Sequence, residues 1–397
     1  NRNFYGGFTG DGELVKRGTG TLNLYGVSDH SGRTFVAEGQ IRMVGDGARL
    51  SANTDVLISD VGKLDVYTAG TQTIGTIAGA GELVLSSNDL HFGGATDTRF
   101  SGYLNSSRGG ELFKEGVGQF TLGGAADNHG TSVMRVTDGT VVLDKHSGDN
   151  TRRALGAGSN SVALTIGDGA TVKLAGSHSL DAGDALSQIN STSNIQIDSG
   201  GILDLNGRRL TVNDIIGAGA IVNNGTQAAV LELGRSSASF TLGTSITAGS
   251  NGHGVELIKT GSGTLTLDTA VSYAGVEQIT IDNGTVTQNG ADTLSANTGV
   301  MILSGEILDL GGHDLTIGGL SGAGNVNLGT GTLTVGDGSN YVLSGVISGN
   351  GDLIKTVSGQ LILGNNQTYT GATTVSAGEL RFGDGNSRLL PTTSGIT

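Results

Sequence analysis

Four lysines of this chain keep the same company. Lys16, Lys114, Lys259 and Lys355 each follow an acidic residue by three positions (Glu13, Glu111, Glu256 and Asp352) inside the phrase [DE]-L-x-K-x-x-x-G-x-x-x-L. The copies read ELVKRGTGTLNL, ELFKEGVGQFTL, ELIKTGSGTLTL and DLIKTVSGQLIL. An acid and a base at constant spacing could form a charged row that contacts a ligand. They could equally border a turn of the chain as edge charges, worth at most about 1 kcal/mol per pair when exposed. The second reading is the expectation here.

Other candidate chemistry thins out on inspection. Gly-Asp-Gly triplets at Gly45–Gly47, Gly167–Gly169, Gly336–Gly338 and Gly383–Gly385 could be calcium loops. Calcium requires six to eight oxygens, and no tandem G-G-x-G-x-D pattern supplies them. An Asp satisfied by its own turn backbone accounts for these triplets. None of the seven His stands in an H-x-x-x-H pair, and there is no G-x-S-x-G elbow. The G-x-G elements never complete a G-x-G-x-x-G that opens a helix, so no dinucleotide site is expected. One mixed-charge stretch, DKHSGDNTRR, gathers Asp144, Lys145, Asp149, Arg152 and Arg153. These residues form the candidate interaction set, and they are also the acid, base and Arg set that a glycan-active enzyme would need. No catalytic, metal or cofactor site is expected, and the chain is not expected to be an enzyme.

The elements that must carry these residues follow from composition and period. Gly contributes 72 of 397 residues, with one Pro, no Cys, no Trp, 9 Phe and 7 Tyr. Collagen is excluded by the missing Gly-X-Y period, and disorder by the steady supply of aliphatic residues. Lack of Cys removes disulfide scaffolds, Cys-based zinc sites and thiol chemistry. The net charge is -14, without any basic run, so nucleic acid and anionic membrane surfaces are not expected partners. No apolar run approaches the length of a membrane span and no basic-then-apolar leader is visible, so direct membrane insertion is not expected. Opening mid-pattern, the chain reads as a segment of something longer.

Aliphatic and polar residues alternate over four to six positions, as in Thr264-Leu265-Thr266-Leu267 and Thr171-Val172-Lys173-Leu174. That is the period of short half-buried strands, and helical spacing is nowhere convincing. Repetition decides the architecture. After each lysine phrase comes a second one with Gly between strands (Gly39, Gly139, Gly284 and Gly378), and in three cases a third, beginning at Val61, Gly200 and Ser304. A sandwich has one core with unlike sides, whereas a solenoid reuses each coil as the neighbour of the next. An all-β, right-handed parallel β-helix of about 16 coils is predicted, its hand taken from the general rule for parallel crossovers. The prediction is one continuous domain over 1–397, in repeat groups of about 1–99, 100–241, 242–339 and 340–397, with a protruding loop at 144–160. Leu22, Leu24, Phe120, Leu122, Leu265, Leu267, Leu361 and Leu363 should line the core.

The combined phrases, above all YTGATTVSAGEL at Tyr369–Leu380, resemble the passenger-associated transport repeat of Gram-negative autotransporter adhesins, also called the autotransporter-associated β-strand repeat. The resemblance spans essentially the whole chain and is weakest at Asn128–Val142. It implies an extracellular or cell-surface β-helical passenger exported through a C-terminal outer-membrane barrel, which is expected to lie outside these residues. It further implies adhesion, or auto-aggregation and biofilm formation, with a second copy or a host or abiotic surface receptor as partner. A structural filament subunit is the alternative, and a β-helical glycan-active enzyme a minor one.

Overall fold

The computed structural model describes residues 1–383 apart from 68–69, 131, 147–152, 157–160 and 176–187. Among the described residues every regular element is a strand, and no helix is long and apolar enough to cross a membrane. The described residues form an all-strand parallel β-solenoid of about 17 turns. It divides into two compact units, Asn1–Val212 and Asn213–Thr397.

In the first unit three parallel sheets form the walls. One stacks Thr21–Leu24, Gly39–Met43, Gly62–Val66, Glu82–Leu85 and Tyr103–Ser106. A second begins at Leu14–Lys16 and includes Gln119–Gly124 and Thr140–Lys145; a third carries Leu90–Phe92, Glu111–Lys114, Val133–Val136 and Val162–Ile166. The second unit repeats the plan. Ala229–Leu233, Val255–Lys259 and Val276–Ile281 share one sheet, Thr264–Leu267 and Thr285–Gln288 another, and Leu315–Ile317, Leu333–Val335, Leu353–Lys355 and Thr373–Val375 a third.

Alternation along each strand sends one side chain in and the next out, and parallel pairing stacks like positions into columns. Leu265, Val286, Leu308, Val326 and Ile347 form one such column in the second unit. Phe120, Val141, Val172 and Leu203 form another in the first. Each aliphatic side chain buried in this way contributes roughly 1.5–3 kcal/mol. Leu24, Phe120, Leu122, Leu265, Leu267, Leu361 and Leu363 are all buried. Leu22 is only half-buried, because its strand partner on one side is Arg2 rather than an aliphatic residue.

Coil length is not constant. Asp309 and Asn327, partners in adjacent coils, are 18 residues apart, whereas Arg135 and Thr165 are 30 apart. Successive lysine phrases therefore fall on different walls. Leu14–Lys16 and Glu111–Lys114 lie in different sheets of the first unit, and Val255–Lys259 and Leu353–Lys355 in different sheets of the second.

Candidate functional site: capped corners and a polar groove

The lysine phrase builds a strand, a corner and a second strand on the next wall. Its lysine ends the first strand at an inward position, stacked with aliphatic residues of adjacent coils: Val36 beside Lys16, Val136 beside Lys114, Leu233 and Ile281 beside Lys259. All four lysines are buried, Lys259 completely. The ammonium groups point at the corner backbone. Lys259 Nζ donates to the carbonyls of Thr260 (2.7 Å), Gly261 (2.6 Å) and Asn283 (3.1 Å). Lys114 Nζ donates to Glu115, Gly116 and Asp138, and Lys16 Nζ to Arg17, Gly18 and Glu38. In these three copies the third carbonyl belongs to the residue just before the second-phrase glycine of the next coil. Lys355 departs from this, taking all three carbonyls from its own corner, Thr356, Val357 and Ser358.

The lysines are thus not the edge charges expected from the sequence. A spacing of three puts acid and base on opposite faces of a strand, so the acid turns outward and finds its partner one coil away. Glu13 pairs with Arg33 (2.6 Å) and Glu111 with Arg135 (2.7 Å), while Asp352 accepts a hydrogen bond from the Ala372 backbone N–H (2.6 Å). With carbonyls rather than a carboxylate around it, the buried Lys259 ammonium is pushed down to about 8 by loss of water. Burial lowers Lys114 and Lys355 in the same direction.

The second-phrase glycine completes the corner. Gly284 has φ +87°, and a Cβ there would lie 2.4 Å from the Gly263 carbonyl oxygen and 2.7 Å from that of Gly261. Only glycine both adopts this backbone and lets the two coils approach. At the corner position itself Gly18, Gly116 and Gly261 have φ of 75°, 75° and 71°, but the fourth copy carries Val357 at φ 60°, a strained conformation for a β-branched residue.

The candidate interaction set is dispersed. Asp144 faces outward on Thr140–Lys145 and accepts a 2.8 Å hydrogen bond from Arg99 Nη1. Lys145 is a correction to the expected loop: the strand runs through it, its side chain is fully buried, and Nζ donates to the Gly102 carbonyl at 2.6 Å. Alternation turns it inward, and burial pushes it down to about 8. The Arg153 backbone N–H donates to Asp127 Oδ1 at 2.8 Å. Asp149 and Arg152 lie outside the described residues. At one Gly-Asp-Gly triplet, Asp337 Oδ1 accepts the Ser339 N–H at 2.8 Å, a self-satisfied turn; Asp384 of another triplet is outside the described residues. Among the described residues no group of three or more His, Cys, Asp or Glu could hold a metal ion.

The sequence reading missed an open groove of about 530 Å³ in the first unit. Its floor is the glycine ladder Gly39, Gly62, Gly81 and Gly102. One wall is the outward column Thr21, Gln40, Lys63, Glu82 and Tyr103, held in register coil by coil. Thr19, Asp60 and Ser101 also line it. Lys63 Nζ and Glu82 Oε2 pair at 3.1 Å, and Gln40 Nε2 donates to the buried Asp65 at 2.8 Å. The signal was present as a dipeptide, Gly followed by a polar or aromatic residue at Gln40, Lys63, Glu82 and Tyr103.

Comparison with known proteins now has a geometry to explain. The family model described as the passenger-associated-transport-repeat matches residues 14–43, 257–287 and 353–382. The chain carries passenger-associated-transport repeats. Each matched segment contains a lysine corner together with the glycine strand stacked on it in the next coil, so the repeat is a two-coil clamp. The stretch from Glu111 through Gly139 has the same lysine cap and the same positive-φ glycine, outside the matched residues. The chain is also 28% identical over 394 residues, 95% of its length, to the adhesin BmaC autotransporter of Brucella suis biovar 1 (strain 1330). It spans 10% of that relative's length. Repeats and relative together support an autotransporter passenger. No solved structure matches.

Proposed function

We propose that this chain is a stretch of a surface-displayed or secreted autotransporter passenger with an adhesin-like, non-enzymatic role. The observation that carries the reading is similarity along 95% of the chain to an autotransporter named an adhesin. The parallel solenoid suits it, since a stack of similar coils presents the same outward residue types many times, and many weak contacts along one face add up to avidity. The partner is a receptor on another surface or a second copy of the protein. The interaction set at Asp144, Lys145, Asp149, Arg152 and Arg153 contributes through Asp144 and Arg153 at most among its described members, because Lys145 is enclosed.

The test is display of the full precursor on a non-adherent Gram-negative host, with and without this segment, at equal surface abundance. Faster settling or greater retention on host cells is expected with the segment. Unchanged settling and retention would remove the adhesin reading. Mixing labelled displaying cells with unlabelled non-displaying cells separates the partners: self-association clusters only displaying cells.

A further inference from the structure

We infer that the groove in the first unit binds a neutral, extended oligosaccharide. This deepens the adhesin-like reading and rests on it for its biological consequence.

Shape comes first. The glycine floor is bare backbone, and a Cβ at Gly81 would lie 2.1 Å from the Ser59 carbonyl oxygen, at Gly102 1.9 Å from that of Gly81. The trough exists because the coils pack too closely there for side chains. The wall from Thr21 to Tyr103 crosses five coils, so at a strand spacing of ~4.8 Å it extends about 19 Å. A ligand that follows it is a chain rather than a single small ring.

Charge narrows the class. Lys63 is already paired with Glu82, and Asp60 adds an exposed carboxylate. No cation in the groove is left to hold a polyanion, and the chain as a whole carries -14. Acidic polysaccharides, nucleic acid and phosphate-rich surfaces are repelled.

Hydrogen-bonding chemistry selects among the rest. An added β-strand needs free backbone groups, yet the floor spends its own: the Tyr103 N–H donates to the Gly81 carbonyl and the Gln40 N–H to that of Gly20. An apolar peptide needs apolar pockets, and Val61 is the one large apolar side chain lining the groove. What the walls offer is the Thr19 hydroxyl and the Asp60 carboxylate, beside groups that already bond within the wall yet keep lone pairs to accept with: Thr21 donates to Gln40, Ser101 to the Gly79 carbonyl, Gln40 to Asp65, and Glu82 pairs with Lys63. Sugar hydroxyls both donate and accept, which matches this mixture, and Tyr103 supplies a ring on which a sugar face can rest.

Binding of purified protein to cellotetraose and lacto-N-neotetraose is measured by saturation-transfer NMR and calorimetry, with a heparin tetrasaccharide and a lysine-rich peptide as charged probes. Saturable binding of a neutral probe is expected, weakened roughly tenfold by Tyr103→Ala and by Gln40→Ala. Thr19→Trp, at an exposed position that projects bulk into the trough, should abolish it while circular dichroism stays unchanged. The inference is overturned by failure to bind either neutral probe, by preference for heparin or the peptide, or by neutral-glycan binding that all three folded variants retain. Displaying cells that adhere while the purified groove binds no neutral glycan would sink this inference and leave the adhesin reading standing. Glycan binding without adhesion would do the reverse.

Discussion

Lys259 and Lys63 are the same residue type on the same kind of strand, and they do opposite things. Lys259 sits at an inward position in the second unit, without water, its ammonium enclosed by three carbonyls. Lys63 sits at an outward position in the first unit, a third exposed, beside Glu82. The corner and the groove share the same ingredients, a lysine and a ladder of glycines. In the corner the glycine lets the next coil close over a cation; along the groove a ladder of glycines leaves a trough open to solvent, and Gly39, which also closes over Lys16, belongs to both. Local composition does not distinguish the two; strand parity does.

The largest effect is expected where closure is tightest. Gly284→Ala forces a Cβ into 2.4 Å contact with the Gly263 carbonyl oxygen at a left-handed backbone. Strain and overpacking together should cost about 4 kcal/mol in denaturant unfolding. A loss below 1 kcal/mol would mean that the corner is not tightly closed.

Next comes the lysine contrast itself. Lys259→Met keeps the stem but strands three carbonyls and should cost about 3 kcal/mol. Equal losses for Lys259→Met and Lys63→Met would dissolve the distinction between the two regions.

The corner also predicts a pH dependence. The folded Lys259 lies at about 8 against an ordinary 10.5, so between these values the unfolded chain holds a proton that the folded chain has released. Stability therefore rises with pH across that window. Burial pushes the Tyr273 hydroxyl up to about 12 from 10.0, so above pH 10 the folded chain keeps a proton that the unfolded chain loses, and stability falls. Unfolding followed from pH 7 to 11 should show a maximum near pH 10, with the rise reduced in Lys259→Met.

Val357→Gly should stabilise by about 1 kcal/mol, the relieved strain exceeding the added chain entropy. A melting temperature that falls instead would show that Val357 is held there for another reason. Lys63→Met should change stability least, by about 0.5 kcal/mol.

Strand period, glycine spacing and phrase repetition were legible in the sequence because they are local. That Leu265 and Leu267 face inward follows from alternation alone; that Leu265 stacks on Val286 and Leu308 needs the pairing between coils. Pairing an acid with a base three residues away ignored that same alternation, which sends them to opposite faces. The loop reading of Asp144 and Lys145 failed for a related reason: polar composition outweighed a strand that continues through both residues.

By itself, then, the sequence determined that this protein is a stack of parallel coils, where its corners fall and which aliphatic positions of most strands face inward, since these depend on neighbours within a few positions. Only the tertiary structure decided that the inward lysines are corner caps and that four glycines open a groove. The third carbonyl around Lys259 comes from Asn283, 24 residues on. Coils of 18 to 31 residues do not let such distant partners be counted along the chain.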